Sequence, residues 1–322
     1  MKGINIKLSD VVPFIAFAAI FTFFAVASNG IMFSPYNLKL LISQSLITII
    51  VGCGALFVVA QGSIDLSVGV NLALSAVIGT HLSVLTGSSA LLMVVTVVIA
   101  GGIGLLNGFL VSKCGVPSFM VTIAMLIGLR GVVNYIQTII HTEHIPDSMA
   151  IFSNDSFRIP LFLVIVAILF YLFEFTKLGK YSRAIGENEV AARSVGVPVT
   201  KMKIIAFLIS GLAVGIGAIF SLTQINGTSN TMGVFFEMQV AMAIYLGGVL
   251  VTGGSSAKIY KVILGSFSIT IIVNGLAITG NSDSQISESV EGFLLLLILF
   301  LTIVVNKWSV RRASKAAVEL AE

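Results

Sequence analysis

Leu40-Leu-Ile-Ser-Gln-Ser-Leu-Ile-Thr-Ile-Ile-Val-Gly-Cys-Gly-Ala-Leu-Phe-Val-Val-Ala60 runs for 21 residues without a charged side chain. Crossing the ~30 Å hydrocarbon core of a bilayer takes about 20 apolar residues of helix, and a soluble helix would confine its apolar residues to one stripe. The stretch therefore reads as a membrane-spanning helix, and the pattern recurs along the chain. Ten spans are predicted: 11–28, 40–60, 66–86, 90–112, 116–136, 159–175, 203–225, 238–251, 260–280 and 292–306. Of the 322 residues 57% are hydrophobic and 10% charged, with a mean hydropathy of +1.07. That leaves too little polar surface to clothe a soluble globule. The predicted fold is all-α and integral to the membrane, one transmembrane domain over residues 1–322, with short tails at 1–10 and 307–322 and a longer polar loop at 176–203.

Ten spans place both termini on one side. Lys2, Lys7, Lys113, the cluster from Lys177 to Lys203, Lys258, Lys261 and Lys307 to Lys315 then share a face, which the distribution of basic residues makes cytoplasmic in a multi-pass protein of the cell membrane. Lys39 and Arg158 fall on the other face, together with the acids Glu143, Asp147, Asp155, Glu237, Asp283 and Glu288. The net charge of +4 is explained by this arrangement, without nucleic acid. The first apolar stretch has no A-x-A-like cleavage site and is long enough to remain as a span. Cys53 and Cys114 have neither the number nor the spacing of a disulfide framework or a metal site. The eighth segment is short for a crossing, and three readings stay open: the partner of a tilted neighbour, a broken helix, or an extension of the segment around Phe235 and Phe236.

Glycine is concentrated in two spans, at Gly101, Gly102, Gly104 and Gly108 and at Gly211, Gly215 and Gly217. Small residues at helical spacing let membrane helices approach closely. The end of the long loop carries a full set of helix punctuation: Asn188 to cap, Glu189 in the first turn, Gly196 for a left-handed stop and Pro198 beyond it. A helix of about seven residues does not hold itself together in water, so it should dock on something. Ala191, Ala192 and Val195 form its small apolar face.

Asn188-Glu189-Val-Ala191-Ala192-Arg-Ser-Val-Gly196 resembles the E-A-A…G coupling motif of ABC-transporter permeases of the ribose and branched-chain-amino-acid type. Three further stretches are similar to that family: Gly62-Ser-Ile-Asp65-Leu-Ser-Val-Gly69; Leu106-Asn107-Gly108 followed by Val116-Pro117-Ser-Phe-Met-Val-Thr122 and Leu129-Arg130-Gly131; and Leu246-Gly247-Gly248 followed by Thr252-Gly253-Gly254. They keep the family's order from about residue 40 to 306. After Gly254-Ser255-Ser256 the chain has Ala257-Lys258-Ile259 where many relatives keep a further glycine. The resemblance implies a coupling helix, with Asn188, Glu189, Ala191, Ala192 and Gly196, seated in a cleft of a separate cytoplasmic ATPase that carries ATP and Mg. It also implies a second permease subunit, alike or different, an extracytoplasmic solute-binding protein, and a monosaccharide as the solute, with nucleosides or branched-chain amino acids as the nearest alternatives.

No G-x-x-x-x-G-K-[ST] phosphate loop is present, so the chain is not expected to be an enzyme or to hold a cofactor or metal of its own. An ion-coupled secondary transporter, the other class considered, would place acids or histidines in the membrane interior; Asp65 is the one candidate. Asp65 either caps the start of the third span at the cytoplasmic interface or marks a helix break lining a pathway with Gln61, Ser67 and Asn71. Asn107 and Asn274, with Thr122, Asn134 and Gln239, extend the set of polar residues for a wetted passage that binds weakly. Arg130 is expected near the outer end of its span, snorkelling to the headgroups or pairing locally, or else meeting a binding protein or facing the passage. Trp308 reads as an interfacial anchor.

Overall fold

A computed structural model describes residues 8–140 and 143–280, and within 289–300 residues 289, 290, 292–294, 296, 297 and 300. Eleven α-helices follow one another: α1 Leu8–Ala27, α2 Pro35–Val59, α3 Val68–Thr86, α4 Ser89–Ser112, α5 Ser118–Ile140, α6 Asp155–Glu174, α7 Lys177–Glu187, α8 Glu189–Ser194, α9 Val199–Ile225, α10 Phe236–Leu246 and α11 Ile259–Ile278. Among the described residues there is no strand, only an isolated bridge between His144 and Gly227. Among the described residues seven helices, α2 to α6, α9 and α11, are long and apolar enough to cross a membrane, and two apolar helices are shorter, Pro13–Ala27 within α1 and α10. The expected tenth span lies largely outside the described residues, as do Asp283, Glu288, Trp308 and the second tail.

Helix starts follow local chemistry. Ser34 accepts from the Asn37 N–H with Pro35 in the first turn, Ser88 accepts from Leu91 N–H, and Asn154 from Ser156 N–H; each satisfies a donor that the helix itself leaves orphaned. Helix α2 is the centre of the bundle: 78% of its apolar stretch is buried within the protein, against 17% for α5. The glycine-rich spans pack as their composition predicts. A Cβ on Gly104 of α4 would stand 2.3 Å from the Phe207 carbonyl of α9, one on Gly211 2.4 Å from the Ala100 carbonyl, and one on Gly54 of α2 2.3 Å from the Ala213 Cβ. The backbones touch because no side chain intervenes.

Two segments lie non-helical inside the bundle. Residues 60–67 separate α2 from α3, and Asp65 reaches Ser210, eleven residues past the start of α9; at 1.5 Å per residue that is about 16 Å along the helix. Residues 227–235 follow α9 and press against the start of α3, where a Cβ on Gly233 would meet the Gly69 carbonyl at 2.0 Å. Irregular backbone persists at such depth only where protein groups satisfy it. Arg130 does so here, donating from Nη1 to Met232 O at 3.0 Å and from Nη2 to Gly233 O at 2.9 Å, while Gln137 donates to Ser229 O. The segment ends at Phe235 with φ +57, a left-handed conformation uncommon outside glycine. Of the open readings of the eighth segment, the one that begins at Phe235 and Phe236 matches: α10 is an 11-residue helix starting at Phe236, about 16 Å long and so half a bilayer.

The inward course of 227–235 buries one residue. Glu237, grouped with the outer acids by its place in the sequence, is buried at 6% exposure in the first turn of α10. Its carboxylate occupies the space that a side chain on Gly69 would fill.

Candidate functional site

The polar loop folds into a platform. Thr176 caps α7 through Leu178 N–H, and Asn188 ends α7 and caps α8, its Oδ1 accepting from Ala191 N–H at 2.9 Å. Gly196, at φ +86, reverses the chain so that Val197 N–H bonds back to Ala192 O. Glu189 accepts from Lys203 Nζ at 2.7 Å and from Arg193 Nη2 at 3.0 Å, which ties the six-residue α8 to the first turns of α9. The Lys203 bond, with Arg193 beside it, holds the Glu189 carboxyl below the usual carboxylate range. Ala192 faces inward, in a small core with Ile185, Val197, Val199 and Met202. Ala191 faces out, and the outermost apolar groups are Val190 and Val195, 79% and 78% exposed. Of the expected apolar face Ala191, Ala192 and Val195, Ala192 packs inward while Ala191 and Val195 stay exposed beside Val190, because α8 lies back against α9 and the docking it needs begins within its own chain.

The platform is braced from below. Glu187 accepts from Ser255 N–H at 2.7 Å, which keeps its carboxyl below the usual range, and Gly254 N–H donates to Ala60 O at the end of α2. Arg183 pairs with Glu174 at 2.8 Å and lies 4.9 Å over the Phe173 ring, while Glu174 also accepts from Ile259 N–H. Gly253 makes the turn at φ +74, ψ −130, a region open essentially to glycine, with the Val59 carbonyl 2.3 Å from where a Cβ would sit. Through α7, which packs on α2, α6 and α9, and Glu174, which bonds the start of α11, the platform touches all four of these helices.

In the break above the platform, Asp65 Oδ1 accepts from the Ser67 N–H at 3.0 Å and hydroxyl at 2.6 Å, and its Oδ2 from the Ser210 hydroxyl at 3.3 Å. Asn107 Nδ2 donates to Ser67 Oγ at 2.8 Å, and Gln61 Nε2 to Ser182 Oγ and Met202 O. Asp65, Ser67 and Asn107 are thus one connected cluster. Asn71, one turn further along α3, donates to Ala100 O; Asn274 sits apart, on α11. The side-chain carbonyls of Asn71, Asn107 and Asn274 are buried without a hydrogen-bond partner. Asp65 turns the chain two residues ahead of Ser67, the N-cap of α3, inside the break between α2 and α3.

A cavity of about 210 Å³ opens between α2, α3, α9, α10 and α11. Its polar wall is Gln44, Thr48, Ser221, Gln224, Gln239 and Thr270, with Phe236 adding an aromatic face and no ionised side chain. Of these, the sequence reading singled out Gln239 alone. The signal available was Gln44 and Thr48, one helical turn apart within the uncharged stretch of α2. The clusters Asp65–Ser67–Asn107 and Asn274 do not line this cavity. Among the described residues no group of three His, Cys, Asp or Glu could hold a metal ion.

Membrane-length helices, two irregular segments at depth and a solute-sized polar cavity define a multi-pass transport protein of permease type. Residues 37–303 match the family described as branched-chain amino acid transport system / permease component, and the chain belongs to that family. It is 28% identical over 256 residues to the ribose import permease protein RbsC of Escherichia coli (strain K12), covering 75% of this chain and 78% of that one. It is 30% identical over 268 residues to the D-allose transport system permease protein AlsC of the same strain (81% and 82% covered), and 33% identical over 238 residues to the L-arabinose ABC transporter permease protein AraH of Azospirillum brasilense (72% and 70%). The resemblance read from the motifs, to ABC permeases of the monosaccharide type, holds.

Proposed function

We propose that this chain is the transmembrane permease subunit of an ABC importer for a monosaccharide. It works in a pair with a second permease subunit, receives its solute from an extracytoplasmic binding protein, and is driven by a cytoplasmic ATPase that carries ATP and Mg. The observation that carries the reading is α8: a helix too short to stand alone, capped by Asn188, stopped by Gly196, tied through Glu189 to α9, and presenting Val190 and Val195 to the outside. That arrangement suits a lever seated in another protein. The solute class is supported by the names of the relatives and by the cavity wall, where carboxamides and hydroxyls donate and accept as sugar hydroxyls do. A zwitterionic amino acid would there lose hydration without gaining a counter-charge.

The test is reconstitution of the chain with its ATPase and binding protein in proteoliposomes, with labelled ribose, allose and arabinose outside. ATP-dependent uptake that vanishes with Glu189→Lys is the expected result. Uptake driven by a proton gradient without any ATPase would overturn the proposal.

A further inference from the structure

Where α4 ends and α9 begins, the two helices leave a recess of about 610 Å³ lined by three cations, Lys113, Arg193 and Lys201, with Val197, Pro198 and Ile204 among its apolar walls. A second recess, about 370 Å³, is lined by Gly102, Leu105, Leu106, Phe109 and again Ile204. Ile204 lines both, so the two recesses share a wall on α9. Positions 102, 105, 106, 109 and 113 recur at helical spacing and share one stripe of α4. Gly102 has nothing within 4 Å of where its Cβ would be, which notches the apolar end. The groove thus changes from cationic to wholly apolar along a single line. From Lys113 to Gly102 that line is about 16 Å, half the ~30 Å hydrocarbon core of a bilayer.

No acidic side chain lines either recess, and Lys113 and Lys201 form no ion pair in the described structure. We propose that the groove holds an anionic phospholipid, its phosphate between Lys113, Lys201 and Arg193 and one acyl chain along Leu105, Leu106 and Phe109. Basic recesses between membrane helices suit anionic headgroups, and the order of charge and apolar surface is that of a lipid standing in one leaflet. A protein partner would have no reason to reproduce that order. Because Arg193 belongs to α8, the headgroup sits against the platform and braces it on α9. The proposal requires only that this end of the bundle lies at a membrane surface, and it stands apart from the choice of solute.

The test is native mass spectrometry of the full chain released from mixed micelles holding equal phosphatidylglycerol and phosphatidylcholine. Wild type is expected to retain one phosphatidylglycerol about ten-fold over phosphatidylcholine, two lysines being enough for that preference. Lys113→Gln/Lys201→Gln should bring the ratio near one, and Lys113→Arg/Lys201→Arg should keep it. Leu106→Trp, which fills the apolar recess and leaves the cations, should lower retention of both lipids. Excess inorganic phosphate should not displace the bound lipid. Equal retention of the two lipids by wild type, full selectivity in the double Gln variant, or displacement by phosphate alone would overturn the proposal. So would efficient disulfide dimers of Leu106→Cys in native membranes, which would put a second copy of the chain in the groove.

Discussion

Glu189 is the residue on which the position of α8 depends, and its two ion pairs make its behaviour predictable. Its carboxyl titrates lower in the folded chain than when free, so the tether is complete above the unfolded carboxylate value, about 4.3, and is lost as pH falls through the lower, folded value. A spin label at Val195→Cys, in a Cys114→Ser background, should therefore keep one mobility from pH 8 to about pH 5 and loosen only in stronger acid; loosening near neutrality would contradict the assignment. Glu189→Gln should raise that mobility at neutral pH with little change in overall stability, since exposed pairs contribute little. Gly253 poses the opposite case. Gly253→Ala forces a side chain into a glycine-only conformation and against the Val59 carbonyl, and should cost about 1–3 kcal/mol, read as a lower midpoint of thermal unfolding in detergent. The caps were legible because Asn188 and Gly196 act on groups within a few residues. The partners of Asp65 were half legible: Ser67 is two positions away, but Ser210 is 145 positions distant.

At the scale of elements, packing between α4 and α9 is set by missing side chains. Gly104→Val would drive a branched group into the Phe207 carbonyl and the Gly211 Cα, and overpacking of that kind costs roughly 1–3 kcal/mol or more; the expected readout is loss of monodisperse protein on size exclusion. The irregular segment 227–235 depends instead on bonds donated from α5. Arg130→Met leaves the Met232 and Gly233 carbonyls without those donors inside the bundle, about 1–3 kcal/mol for each group left unsatisfied. Thermal unfolding unchanged in that variant would show that the segment holds itself. The shortness of the eighth segment was plain in the sequence, since run length is a local property. The depth of Glu237 was not, because hydropathy places a residue by its neighbours in the chain, whereas a loop that turns back into the bundle is positioned by Arg130, more than a hundred residues earlier. The inward turn of Ala192 is of the same kind: the alternation of α8 shows two faces, and contact with Met202 and Ile185 decides which is buried.

For the molecule as a whole, the neutral cavity and the braced platform set what transport should look like. Gln44→Leu with Thr270→Val removes polar groups contributed to the cavity by two helices, α2 and α11, at nearly constant volume. If the solute passes there, uptake by the reconstituted importer should fall about ten-fold, the worth of roughly one hydrogen bond, while ATPase assembly stays intact. Uptake at the wild-type rate would place the route elsewhere, such as the face between two permease subunits. The sequence by itself determined the membrane as solvent, the helical class, most of the spans, the glycine-lined contacts and the capped short helix. Each rests on run length, periodicity or a bond spanning a few residues, which a linear pattern contains. Only the tertiary structure decided that Gln44, Gln224 and Gln239 line one cavity, that Glu237 lies inside on Gly69, and that Ala192 packs inward while Val190 stays exposed. Those facts depend on distances between helices, and residues far apart in sequence acquire such distances only when the bundle closes.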